Sequence, residues 1–162
     1  MTQYMRPASD INSEWQCSAG SARYALIDEV SASDSDYIFT NSNGAYQECK
    51  FTTPLTPVST GEGVLRFRAT RNALGSEITI TPSIRCGSTV IKAGDAFIPA
   101  TPYTEYTLTL SSAEMANITD WTDVRVRFLL NETSGYLGFV SWAVFEVPDQ
   151  VLSTDLCMGC TF

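Results

Sequence analysis

The sequence predicts an all-β fold: an antiparallel β-sandwich or jelly roll with an extended N-terminal arm and a short C-terminal tail. Two patterns predict it. About seven or eight short runs alternate apolar with polar residues, and turn signals recur roughly every 8–12 residues. At 162 residues, 44% of them hydrophobic, the chain is large enough for one domain with its own core. The expected divisions are an arm over 1–22, a sandwich over 23–148 and a tail over 149–162.

Residues 1–22 sustain neither a period of 2 nor one of 3.6, and they carry Pro7 and Gly20 among many Ser, Asn and Asp. Such a segment reads as an extended arm. Its large apolar residues Tyr4, Met5, Ile11 and Trp15 gain little in water, so it is expected to lie along the domain or along a neighbouring subunit.

The first strands after the arm are expected at "DYIFT" and "YQECKF". In "GVLRFRAT", Leu65, Phe67 and Ala69 share one face while Arg66, Arg68 and Thr70 share the other. In "EITITPSIRC", Ile78, Ile80, Pro82 and Ile84 oppose Thr79, Thr81, Ser83 and Arg85, and "TVIKAG" follows as a further strand. Turn signals separate these runs at "NSNG", "STGEG", "RNALG" and "NETSG".

The stretch "TPYTEYTLTLSSAEMANITDWTDVRVRF" places two alternating runs around a short polar break. Tyr106, Leu108 and Leu110 alternate with threonines before it, and Val124, Val126 and Phe128 alternate with Arg125 and Arg127 after it. The break opens on a capping-like serine ahead of Glu114 and is too short to stand as a helix, so it reads as a crossover turn. In the last run, "YLGFVSWAVFEV", Phe139, Ala143, Phe145 and Val147 face one way while Val140, Trp142 and Val144 face the other. A strand apolar on both faces is covered on both, by a loop or arm or by another chain.

Composition removes several functions. The chain has no histidine, and with it go the commonest general base, histidine-containing zinc sites and Ser-His-Asp or Cys-His nucleophile pairs. A formal charge of -8 argues against a nucleic-acid partner. No run reaches the roughly 20 apolar residues of a membrane span, and the opening "MTQYMRPASDINSEW" lacks a signal peptide's apolar stretch. The expectation is a chain made in the cytoplasm, with no membrane contact. Five cysteines without dense spacing read as reduced thiols, although Cys157 and Cys160 form a CxxC that leaves an intersubunit link or a metal open.

Three blocks, "YALIDEVSASDSDYIFT", "YTEYTLTLSSAEMANITDWTDVRVRF" and "GFVSWAVFEVP", together resemble a jelly-roll domain of structural proteins in tailed-phage virions. The resemblance spans roughly residues 23–148. It implies a jelly roll in which Trp121 plugs the crossover, and a non-enzymatic role on the virion surface. The chain departs from that pattern at Phe139, where an arginine is expected before the valine. Virion jelly rolls serve as decoration, collar, fibre and baseplate parts, so the fold alone does not choose among them.

Candidate site residues follow from composition and position. Eight arginines stand against two lysines, and Arg66, Arg68, Arg125 and Arg127 occupy the polar sides of two strands. Arginine suits protein interfaces through bidentate pairing, and it equally suits local cross-strand pairs. With Tyr4, Ile11, Trp15, Val140 and Trp142 they make the expected interface. Asp28, Glu29, Asp34 and Asp36 cluster near a loop, as hard oxygen ligands for calcium or as ordinary turn residues. Tyr103 and Tyr136, both near turns, are the candidates for stacking on a sugar. Eighteen acids guarantee chance carboxylate pairs, so no glycosidase pair stands out and no enzyme is expected.

The expected function is therefore a capsid decoration or cement protein, without a cofactor, stabilising the shell by contacts with the major capsid protein and with copies of itself. A trimer matching threefold positions is the expected oligomer. The alternative is a tail- or fibre-associated carbohydrate-binding module for host recognition.

Overall fold

The computed structural model describes residues 2–56, 58, 60–72 and 78–149. Among these residues eleven strands form two antiparallel sheets packed face to face. In chain order they are β1 (Thr2–Met5), β2 (Pro7–Ser13), β3 (Gln16–Cys17), β4 (Ile38–Thr40), β5 (Tyr46–Phe51) and β6 (Gly63–Arg71). They continue as β7 (Ile78–Cys86), β8 (Thr89–Ala93), β9 (Thr104–Leu110), β10 (Val124–Glu132) and β11 (Gly138–Pro148). One sheet runs β3-β4-β11-β6-β9, with β1 also paired to β11; the other runs β2-β5-β10-β7-β8.

The alternation read from the sequence decides the faces of the central strands. Leu65, Phe67 and Ala69 are buried, as are Ile78, Ile80 and Ile84, and Val124, Val126 and Phe128. Aromatic contacts join the two sheets across the core: Phe67 lies 5.2 Å from Phe128 between ring centroids, and Phe51 lies 5.8 Å from Phe145. Each such fully buried side chain contributes about 1.5–3 kcal/mol of burial.

The crossover behaves as read. Strand β9 ends in one sheet and β10 begins in the other, joined through the single-turn helix α1 (Ser112–Met115). Ser111 caps it, accepting from the Glu114 main-chain N–H while the Glu114 carboxylate accepts from the Ser111 main-chain N–H. Trp121 packs partly buried against the core beside this turn.

The N-terminal segment lies along the domain, though as paired strands and not as an arm without a pattern of its own. It is woven into both sheets: β1 extends one along β11, and after Arg6 the chain passes to the other sheet, where β2 pairs with β5. Asp10 ties the start of the following turn, accepting from the main-chain N–H groups of Arg23 and Tyr24 at 2.8 and 2.9 Å. Trp15 is fully buried and donates its indole N–H to the Ala45 carbonyl at 3.3 Å, so it is a core residue and has no surface to offer an interface.

Strand β11 corrects a second expectation. Its pairing to β6 shifts register between Val140 and Trp142, a bulge at Ser141. The extra residue brings Val140, 0% exposed, onto the core face with Ala143, Phe145 and Val147. Phe139, Trp142 and Val144 are left on the outer face. Val140 is therefore also removed from the expected interface.

Candidate functional site

The outer face of the six-stranded sheet is covered in part by the loop over residues 28–37. Trp142 donates its indole N–H to the Glu29 carbonyl at 2.8 Å, which accounts for the second apolar face of β11 without another chain. Deeper along the sheet, Arg68 grips Asp34 bidentately at 2.9 and 2.6 Å, and the Ser141 hydroxyl donates to the same carboxylate at 2.7 Å. These bonds hold the Asp34 carboxyl below the ordinary carboxylate range, the Arg68 hydrogen bond acting most strongly.

Beside this anchor stands a ledge of four half-buried aromatic rings, Tyr37, Phe39, Tyr103 and Phe139, none of which belongs to the core. Its centre is a cross-strand pair: Phe39 of β4 lies opposite Phe139 of β11 in register, with centroids 5.9 Å apart and planes 27° apart. Tyr37 meets both edge-on, at 5.9 Å from Phe39 and 5.4 Å from Phe139. Tyr103 completes the ledge 6.5 Å from Tyr37.

The backbone fixes both tyrosines. The Tyr37 main chain exchanges bonds with Ser18, donating to its hydroxyl at 2.9 Å and accepting from its main-chain N–H at 2.9 Å. The Tyr103 carbonyl accepts from Arg68 at 3.2 Å, so one guanidinium organises both the loop and the ledge. Burial raises the Tyr103 phenol above its ordinary pKa, and it stays a neutral hydroxyl. Among the described residues neither tyrosine hydroxyl has a protein partner.

Other expected site residues fall elsewhere. Tyr136 packs against the core from the β10–β11 turn and is not part of the ledge. Arg66 is paired with Glu146 at 2.9 Å and Glu105 at 3.2 Å, and Arg125 with Asp123 and Glu48 at 2.7 and 3.1 Å. Arg127 bonds Glu48 at 2.6 Å, so all four arginines have partners within the chain. Tyr4 and Ile11 remain exposed, at 57% and 45%.

The four acids do not converge: among the described residues no three His, Cys, Asp or Glu side chains are placed to hold a metal. Asp34 is engaged by Arg68, while Glu29 is pushed above its ordinary pKa first by burial and then by the charges of Asp28 and Asp36. Cys17, Cys49 and Cys86 are free thiols, and the CxxC at 157–160 lies outside the described residues.

The structure thus brings together Tyr103, Asp34 and Arg68 from the expected residues and adds Tyr37, Phe39 and Phe139. Tyr37, Phe39 and Phe139 carry no sequence signal that separates them from core aromatics.

No protein-family model matches the sequence, and no curated protein matches it. Solved structures do share the fold. One is the C-terminal CBM6 of LamC, a marine laminarinase from Zobellia galactanivorans, at TM-score 0.50 and 11% identity over 91% of this chain and 99% of that one. Another is a family 35 carbohydrate-binding module from Clostridium thermocellum, at TM-score 0.50 and 15% identity over 88% of this chain and 95% of that one. The chain has the jelly-roll β-sandwich fold of these carbohydrate-binding modules.

Proposed function

We propose that this protein is a non-catalytic carbohydrate-binding module. The observation that carries the reading is the ledge, four aromatic rings outside the core beside two unpartnered phenol hydroxyls and the Arg68–Asp34 pair. A pyranose ring is amphipathic, with C–H groups that stack on aromatic faces and hydroxyls that need donors and acceptors at the edge. Phe39 and Phe139 supply the apolar surface, and Tyr37 and Tyr103 supply both. The shared fold with two carbohydrate-binding modules supports this as an analogy of architecture.

The test is calorimetric titration with a panel of neutral oligosaccharides, using the native chain, Phe139→Ala and Tyr103→Ala. One stacked ring contributes about 0.5–1.5 kcal/mol, so each variant should bind roughly 2- to 12-fold more weakly with its thermal midpoint little changed. Failure of the native chain to bind any member of a broad panel would sink the reading.

A second reading keeps the chain as a virion surface protein that docks on a major capsid protein and on its own copies. Exposed apolar residues favour it: Leu55 is 97% exposed, Val30 80% and Tyr4 57%. Two depressions of about 540 and 370 Å³ adjoin these residues and share Tyr4 and Arg6. Counting copies of the chain per purified particle tests this reading, since decoration of a shell requires hundreds.

A further inference from the structure

The opposite outer face, on the five-stranded sheet, carries an arrangement that local pairing does not exhaust. Lys50, Arg125 and Arg85 stand in one row across three adjacent strands, because Arg125 is in register with Lys50 on one side and Arg85 on the other. Like charges directly opposite are destabilising in a sheet. The two arginines of the row share one carboxylate, Glu48, 2% exposed, and Arg125 is also held by Asp123.

Glu48 is saturated. It accepts from Arg127 Nε at 2.6 Å and Arg125 Nη1 at 3.1 Å, and Arg85 Nε stands 3.5 Å away. Arg125 gives its remaining edge to Asp123, with two bonds of 2.7 Å. Arg85 Nη2 donates to the Ser88 carbonyl. Glu14, the other acid near Arg127, already accepts from the Tyr46 main-chain N–H and from Asn12.

Among the described residues this leaves both terminal nitrogens of Arg127 and Nη1 of Arg85 without a protein partner. Arg127 is held in plane by the Tyr46 ring, 3.9 Å from the guanidinium carbon to the centroid. These groups line an open depression of about 290 Å³ whose rim includes Ser88, Asn12 and the exposed Ile11.

We propose that this depression is a second binding site, for a carboxylate carried on a sugar ring, the chemistry of a uronate. A planar guanidinium fork matches a carboxylate two bonds at a time, and with both Glu48 oxygens engaged the terminal fork of Arg127 is free to take one, with Nη1 of Arg85 as a third donor. Ile11 meets the C–H side of the ring. The sugar part of the proposal rests on the carbohydrate-binding reading; the carboxylate part rests on the arginines alone.

The experiment titrates the full chain with trigalacturonate and with neutral galactotriose, using the native chain, Arg127→Gln, Arg127→Lys, Arg85→Gln and Phe139→Ala. Trigalacturonate should bind the native chain, weaken at least tenfold in all three arginine variants, and weaken as salt rises from about 0.05 to 0.5 M. Any neutral-glycan binding should be unchanged in Arg127→Lys, which keeps the charge and loses the fork, and each variant is titrated well below its own thermal midpoint because Arg127 also bonds Glu48. Trigalacturonate binding that survives the arginine variants, or that is lost only in Phe139→Ala, overturns the site. Neutral glycans held without trigalacturonate overturn it and leave the ledge standing. Arginine-dependent trigalacturonate binding without any neutral glycan keeps the site and sinks the ledge. Binding of neither sinks both.

Discussion

The indole N–H of Trp142 donates to the main-chain carbonyl of Glu29 at 2.8 Å, fastening the 28–37 loop to the outer face of the sheet. Trp142→Phe should lose that bond, at about 1 kcal/mol, while Trp142→Ala should cost about 3–5 kcal/mol by also opening a cavity under the loop. Urea unfolding measures both. A variant of undiminished stability that instead associates less would return Trp142 to an interface between chains.

Asp34 makes the same loop sensitive to acid. Its folded pKa lies below the ordinary 3.8, mainly through Arg68, so its contribution is present above about 3.8 and lost as pH falls through the folded value. The carboxylate is 38% exposed, so Asp34→Asn should cost only about 0.5–1 kcal/mol at pH 7. Native and variant stability should converge as pH falls below the folded value. A difference that persists unchanged into acid contradicts the assignment.

Glu29 has the opposite sign. Its folded pKa lies above the ordinary 4.5, so the contribution is present below 4.5 and lost as pH rises through the folded value. Among the described residues one of its carboxylate oxygens is buried without a hydrogen-bond partner. Glu29→Gln should stabilise the protein by up to about 1 kcal/mol at pH 7, and the gain should vanish below the ordinary value. Thermal midpoints at pH 4 and 7 test this, and a loss at pH 7 refutes it.

Gly138 opens β11 where the core leaves no room for a side chain. A Cβ there would stand 2.5 Å from Leu130 Cδ1 and 3.2 Å from Ile78 Cδ1. Gly138→Ala should cost about 1–3 kcal/mol by overpacking, read as a lower urea midpoint at constant m-value.

Strands β6, β7, β9 and β10 are legible because each largely keeps period 2 against a half-exposed face. The N-terminal strands are not: β2 pairs with β5 through two register shifts, at Pro7/Ser9 and Asp10/Asn12, so its burial never settles into alternation. The bulge at Ser141 likewise moves Val140 to the face of Ala143, three positions on, which strict alternation forbids. Of the ledge, Tyr103 was legible from its place at a turn. Phe39 and Phe139 were not, since an aromatic in an apolar strand reads as core until the pairing shows which side it faces. Arg125 and Arg127 were legible with Arg66 and Arg68, but Arg85 was not singled out, and the row of Lys50, Arg125 and Arg85 depends on register.

The antiparallel ladder of β1 on β11 places Thr2 opposite Pro148 and Met5 opposite Phe145. A pulling force that separates Thr2 from Pro148 therefore acts across that ladder, as on a zipper, loading one pair of residues at a time and never all four in shear. The sandwich should yield mechanically at this corner first, peeling β1 away and baring Met5 while the ladder of β6, β9 and β11 behind the aromatic rings still holds.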